Sequence, residues 1–188
     1  MAGMRYRRKE HQRQSIKLLK KDEGKVVWVL GMFFIQLMIV IMVFEIELFK
    51  YRNLSDYIED AIAASGLASA LIDVDRFVYD RVVEISDPVK AYDTYRSALN
   101  DNIGSVADEV EIVYFLLYNV DGEMVEVTTV DGTGITNRYI GNLGTTRAPN
   151  GEIIRSTGVY SEISFPVEGV FGITTRAQKG KLVEININ

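Results

Sequence analysis

The sequence contains no cysteine, one histidine, one tryptophan and three prolines in 188 residues. Without cysteine there is no disulfide, no thiol nucleophile and no thiolate metal site. A domain of this size builds an apolar core without crosslinks, so the absence is compatible with export. The lone histidine, His11, lies among basic residues near the N-terminus. The rest of the chain therefore offers no His-dependent triad, zinc ligand or haem ligand. The prolines are Pro88, Pro149 and Pro166, and between Val26 and Asp87 the only glycines are Gly31 and Gly66. That long segment is free of helix breakers.

Charge is missing from one stretch. From Val26 to Phe44 the sequence reads VVWVLGMFFIQLMIVIMVF, nineteen residues with Gln36 as the only strongly polar side chain. As a helix it measures about 28 Å, close to the hydrocarbon thickness of a bilayer. A buried core helix rarely stays apolar on every face for this length, so Val26, Trp28, Gly31, Gln36 and Phe44 mark a candidate membrane span. The mean hydropathy of +0.04, high for a chain with 25% charged residues, reflects this concentration.

Charge asymmetry predicts the orientation. Residues 1–25 hold nine Lys/Arg against three acids, a net of +6, while the remainder holds twelve against twenty-three, a net of −11. Basic residues just before a span stay in the cytoplasm, where they also meet anionic headgroups. The expected organisation is a basic cytoplasmic tail over 1–25, a transmembrane helix over 26–44, an extracytoplasmic helical region over 45–104 and an antiparallel sheet region over 105–188. A cleavable signal peptide has a similar outline, but the apolar run is too long and no A-x-A-like site follows it directly. An uncleaved single-pass anchor is the reading.

Beyond the span, Phe44, Leu48, Tyr51, Ser55, Ile58, Ile62, Ser65, Ser69 and Ile72 recur at steps of four and three. This stripe predicts a helix continuing to about Ile72, some 70 Å from its start in the bilayer. Its outer third is rich in small residues. Of these Ala61, Ala64, Ser65 and Ala68 are the candidate packing or assembly positions, since small side chains let another helix or a sheet approach closely. Alanine also simply favours helix. A second amphipathic stretch carries Val74, Phe77, Val78, Val82 and Ile85 on one face. Asp87-Pro88 then caps a helix presenting Val89, Tyr92, Ala98, Leu99 and Ile103 and ending near Gly104. From Val110 the pattern turns to strands, with a hairpin at Asp121-Gly122. In the strand that follows, Val125 and Val127 alternate with Glu126 and Thr128, predicting one buried and one wet face. Residues 131–152 read as a loop region with a short strand near Arg138 to Ile140. Two longer strands, Ile153 to Val167 and Ile173 to Ile187, close the chain. Helices first and antiparallel strands after make the fold class α+β.

No constellation of side chains points to catalysis. Asp73 and Asp75 are two apart on a helix and face different ways. Asn119, Asp121 and Glu123 surround a turn without the spacing of a calcium loop. Gly132 and Gly134 lack the following helix of a phosphate cradle. The triplet Asn53-Leu54-Ser55 fits a glycosylation sequon, a pattern that also arises by chance. The expectation is a non-enzymatic protein with no cofactor, no metal and no nucleic-acid partner, the basic tail serving membrane topology instead.

A basic tail, an apolar helix running outward into an Ala-rich helix, and then an antiparallel sheet is the outline of pilin-like proteins. The run EGKVVWVLGMFFIQLMIVIMVFEIELFKYRNLSDYIEDAIAASGLASAL resembles the N-terminal region of TadE-like minor pilins of the tight-adherence pilus. The stretch STGVYSEISFPVEGVFGITTRAQK is similar to the closing strands of such proteins in Gram-positive bacteria. The resemblance implies a pseudopilin-like structural subunit of a pilus or secretion apparatus, partnered by the lipid bilayer and by other pilin-like subunits or a membrane assembly platform. It implies a role in cell adhesion at a bacterial membrane. Prepilins carry a glutamate five residues past the cleavage glycine; here Val29 follows Gly24 at that distance and Gln36 follows Gly31. Gln36 would offer hydrogen bonding in place of charge. A membrane-anchored binding or sensory domain recognising an extracellular ligand or wall component is the alternative.

Overall fold

In the computed structural model, residues 2–104, 109–169 and 172–185 are described. The side chains of residues 2–23, His11 and the basic cluster among them, and of Val74 lie outside the described ones, as does Ile187. The chain is α+β: helices α1 (Ala2–Ser69), α2 (Val74–Asp80) and α3 (Pro88–Ile103) precede strands β1 (Glu111–Asp121), β2 (Met124–Asp131), β3 (Gly134–Asn142), β4 (Gly158–Glu168) and β5 (Thr174–Glu184). It divides into two compact units, Met1–Phe49 and Lys50–Asn188. The first unit is helix α1 alone up to Phe49. The second holds the rest of α1, the two shorter helices and the sheet.

Helix α1 stops at Ser69, three residues before the stripe predicts. Ser69 Oγ donates to the Gly66 carbonyl at 2.7 Å, taking an acceptor that a further turn would use. Asp73 then caps α2 by accepting from the Asp75 and Arg76 amides. The amphipathic stretch expected to run on to Ile85 instead ends at Asp80, where Arg81 adopts a left-handed conformation (φ 58°) and its N–H returns to the Phe77 carbonyl. Tertiary hydrogen bonds account for the early stop. Ile85 bridges Ile72, the Asp73 amide donates to the Glu84 carbonyl, and Thr157 Oγ1 donates to the Val83 carbonyl. These bonds draw the chain after Arg81 out of helix, and Val78 is left exposed.

Helix α3 matches its expected start and end. Asp87 accepts from the Lys90 amide, and Gly104 follows Ile103 with a positive φ that favours glycine. Its buried face is Pro88, Ala91, Tyr92, Tyr95, Leu99 and Ile103; Val89 is exposed.

The sheet is fully antiparallel in the order β3-β2-β1-β4-β5. Both faces are covered. One packs against α1 and α3 through Phe115, Leu117, Val130, Val159, Ile163 and Phe165. The other buries Leu116, Tyr118, Val125, Val127, Tyr160 and Leu182 beneath Ala148 and Ile154. This corrects the expectation of one wet face for β2: Thr128 and Val130 are buried on the helix side, opposite Val125 and Val127. The presumed loop region holds a nine-residue strand, β3, rather than a short one. In the turn before it, the Asp131 carboxylate accepts from the Thr133 amide and hydroxyl. Strand β4 begins at Gly158 rather than at Ile153, because Ile154 turns inward to cover the second face.

Candidate functional site: an apolar span and a small-residue helix face

In the first unit every described side chain from Val26 to Phe44 is exposed, Trp28 by 67% and Phe44 by 58%. Gly31 and Gln36 share that exposure. The most apolar eighteen-residue window has a mean hydropathy of 2.7 and none of it is buried. Leaving one large apolar side chain in water rather than burying it costs about 1.5–3 kcal/mol, and here more than a dozen stand together. An exposed apolar surface of that extent marks a lipid or protein contact. The helix is long and apolar enough to cross a membrane, and bilayer contact suits it.

In the second unit the small-residue part of α1 divides into two faces. Ala61 and Ser65 lie on the inner face with Ile58, Ile62, Gly66 and Ser69, all buried. Ser65 Oγ donates to the Ala61 carbonyl at 2.7 Å and accepts from Asn102 Nδ2 at 3.1 Å. The Tyr57 hydroxyl also donates to the Asn102 carbonyl, tying α1 to the end of α3. Ala64 and Ala68 lie on the outer face and are exposed, as are Tyr57 and Leu67. Of the four candidate assembly positions, two thus belong to the chain's own core and two remain open to a neighbour.

A further cluster fixes α1 to β5. Glu59 Oε1 receives Lys181 Nζ at 2.6 Å and Oε2 receives Lys179 Nζ at 2.7 Å, while Lys179 Nζ also reaches Ser55 Oγ at 3.3 Å. The hydrogen bonds from Lys179 and then Lys181 pull the Glu59 carboxyl down from 4.5 to about 2. Residues 179 and 181 stand on one face of a strand because side chains alternate. That spacing was visible in the sequence; their acidic partner, 120 and 122 positions away, was not.

Of the residues considered as ligands, Asp73 serves as the cap of α2 and Asn119 as a backbone tie. Asn119 binds Ile85 at both backbone groups, accepting from its N–H at 2.8 Å and donating to its carbonyl at 3.1 Å. A cleft of about 170 Å³ lies beside it, lined by Arg76, Glu84, Asp121, Met124, Glu126 and Ile140. Within it Glu84 pairs with Arg76 and Glu126 with Arg138. Among the described residues no group of three or more His, Asp or Glu side chains is placed to hold a metal. Burial pushes the hydroxyls of Tyr95, Tyr118 and Tyr160 well above the ordinary phenol range, which keeps them protonated.

Comparison with protein-family models, with curated proteins and with solved structures finds no match to this chain.

Proposed function

We propose that this protein is a membrane-anchored extracytoplasmic structural subunit, minor pilin-like or pseudopilin-like, acting in assembly of a pilus or secretion apparatus. The observation that carries the reading is the double use of α1. One helix supplies an apolar span and then a small-residue segment, whose inner face packs under the chain's own sheet and whose outer face, Ala64 and Ala68, stays open. Small exposed residues on a helix allow a neighbouring helix to approach closely. The basic tail sits in the cytoplasm and the sheet domain outside, as the charge bias directs. In this reading the chain is not an enzyme; its work is contact with lipid, with other pilin-like subunits and with a membrane platform.

Two measurements test it. Because the chain has no cysteine, Ser15→Cys and Ser97→Cys give single thiols on either side of the span. In intact cells a membrane-impermeant maleimide is expected to label Ser97→Cys and to spare Ser15→Cys; the reverse pattern overturns the orientation. Ala64→Leu and Ala68→Leu are then expected to lower co-purification with the pilus or secretion machinery while membrane insertion is kept. Unchanged co-purification overturns the structural role. The second reading, an anchored binding or sensory domain, draws on the cleft bordered by Met124 and Ile140, both exposed. Under it, filling the cleft by Asp121→Trp would abolish function while Ala64→Leu would not.

A further inference from the structure

Gln36 is the one residue of the span whose side chain carries both hydrogen-bond donors and an acceptor, and it lies ten residues past Val26 and eight before Phe44. At 1.5 Å per residue it stands about 15 Å and 12 Å from the ends, at mid-membrane depth. No water reaches that depth, and a carboxamide left unpaired in hydrocarbon costs several kcal/mol. The side chain is exposed on the helix surface, so its partner must come from another helix.

The positions around Gln36 suit pairing with a like helix. Counting in heptads, Val29, Gln36 and Val43 repeat every seven residues, and Met32, Ile39 and Ile46 fall between them at the complementary spacing. With Gln36 set at an a position, the seam of a helix pair is mostly β-branched and carries one polar residue, the arrangement that fixes register. The bulky aromatics Trp28, Phe33, Phe34 and Phe44 all fall off the seam, where lipid accommodates them. Carried forward, the same phase reaches Asn53, Tyr57, Asp60, Ala64 and Leu67, all exposed, and avoids the buried Ile58, Ile62, Ser65 and Ser69. The chain's own sheet therefore does not occupy this face of the helix in the second unit, although at its edge the Tyr57 hydroxyl bonds the Asn102 carbonyl of α3.

We propose that a second copy of this chain pairs with the span along Val29–Ile46, with Gln36 of each copy bonding Gln36 of the other. A carboxamide is its own complement: each supplies an N–H to the other's C=O. Copies inserted in one membrane share an orientation, so the two helices run parallel and place the two Gln36 side chains at equal depth. The inference rests on the membrane-anchored reading above and adds a partner, a register and a stoichiometry to it.

The full chain carrying Ser97→Cys is labelled with donor or acceptor dye, reconstituted in phosphatidylcholine vesicles and read by energy transfer as protein is diluted with lipid. Transfer above that of randomly dispersed protein is expected, linear in acceptor fraction as for a pair. Gln36→Leu is expected to weaken association about tenfold, and Gln36→Asn to keep most of it. Val43→Trp, on the seam, is expected to weaken pairing, and Ile41→Trp, on the opposite face, to leave it unchanged. Random transfer, a non-linear dependence, an unaffected Gln36→Leu or equal effects of the two tryptophans each overturn the proposal. Alkaline carbonate extraction of each variant separates the two readings. Protein released by carbonate overturns the anchor itself, whereas protein that stays integrated but monomeric overturns only the pairing.

Discussion

A Cβ placed on Gly66 of α1 would stand 3.1 Å from Val183 Cγ2 of β5. Helix and sheet approach here closely enough that a methyl group would crowd Val183. An alanine at this position is tighter than ordinary contact by a few tenths of an ångström, and its better helix propensity, worth about 1 kcal/mol, offsets the crowding. Gly66→Ala is therefore expected to unfold within about 1 kcal/mol of wild type in urea titrations of the micelle-bound protein. Gly66→Leu has no such compensation and is expected to lose about 2 kcal/mol by forcing Val183 aside. Equal stability of the two variants would show that the approach is not a packing constraint.

The two faces of α1 predict opposite outcomes for the same change. Ala61 is 5% exposed and contacts the core, so Ala61→Leu overfills it and is expected to cost about 1–3 kcal/mol. Ala64, three residues past Ala61 and nearly a full turn on, is exposed, and Ala64→Leu is expected to stay within about 0.5 kcal/mol. Thermal unfolding followed by circular dichroism distinguishes them. A destabilised Ala64→Leu would mean that the outer face already has a partner in the isolated protein.

The exposed apolar helix was legible because its signal is local and compositional: nineteen uncharged residues identify themselves without any tertiary information. The inner face of α1 was legible as a stripe, since Ile58, Ile62, Ser65 and Ser69 keep helical period and all are buried. The same stripe separates Ser65 from Ala64 and Ala68, yet small residues surround the helix there, so size alone does not distinguish a core position from an open one. Strand β3 was hidden by its content: Thr136, Asn137, Arg138 and Asn142 give an edge strand little apolar signal, and its pairing with β2 supplies the order instead. The early end of α2 was illegible for a different reason. Asn119 and Thr157, far along the chain, hold residues 83–85 in an extended path that local periodicity does not reveal.

Asn119 acts as a short piece of strand, offering one acceptor and one donor to Ile85. Asn119→Ala leaves both backbone groups of a buried residue without these partners and is expected to cost about 1–3 kcal/mol. Amide exchange at Ile85 is expected to accelerate more than at Leu117, which sits in the sheet ladder and is fully buried. Asn119→Asp keeps the acceptor for the Ile85 N–H but sets a carboxylate against the Ile85 carbonyl, so it is expected to fall between wild type and alanine only when protonated. Uniform acceleration across the sheet would place the defect in global stability instead.

Glu59 makes the stability of the sheet domain depend on acid. Its carboxyl is held at about 2 by Lys179 and Lys181, below the ordinary 4.5 of an unfolded chain. A depressed carboxyl stabilises the folded state above its unfolded value, and this contribution disappears as pH falls through the folded one. The window is therefore pH 4.5 down to about 2. Roughly a third of each of these side chains is exposed, so solvent and salt screening hold the effect to about 1 kcal/mol. Hydrogen bonds from Thr133 lower the Asp131 carboxyl as well, so the informative quantity is a difference between variants. Glu59→Gln is expected to be about 1 kcal/mol less stable than wild type at pH 7 and to converge with it near pH 2. At 1 M salt the gap at pH 7 should shrink, because the Debye length falls to about 3 Å. Parallel stability curves for the two proteins across pH 7 to 2 would mean that the Lys179–Glu59–Lys181 contact contributes nothing to the folded state.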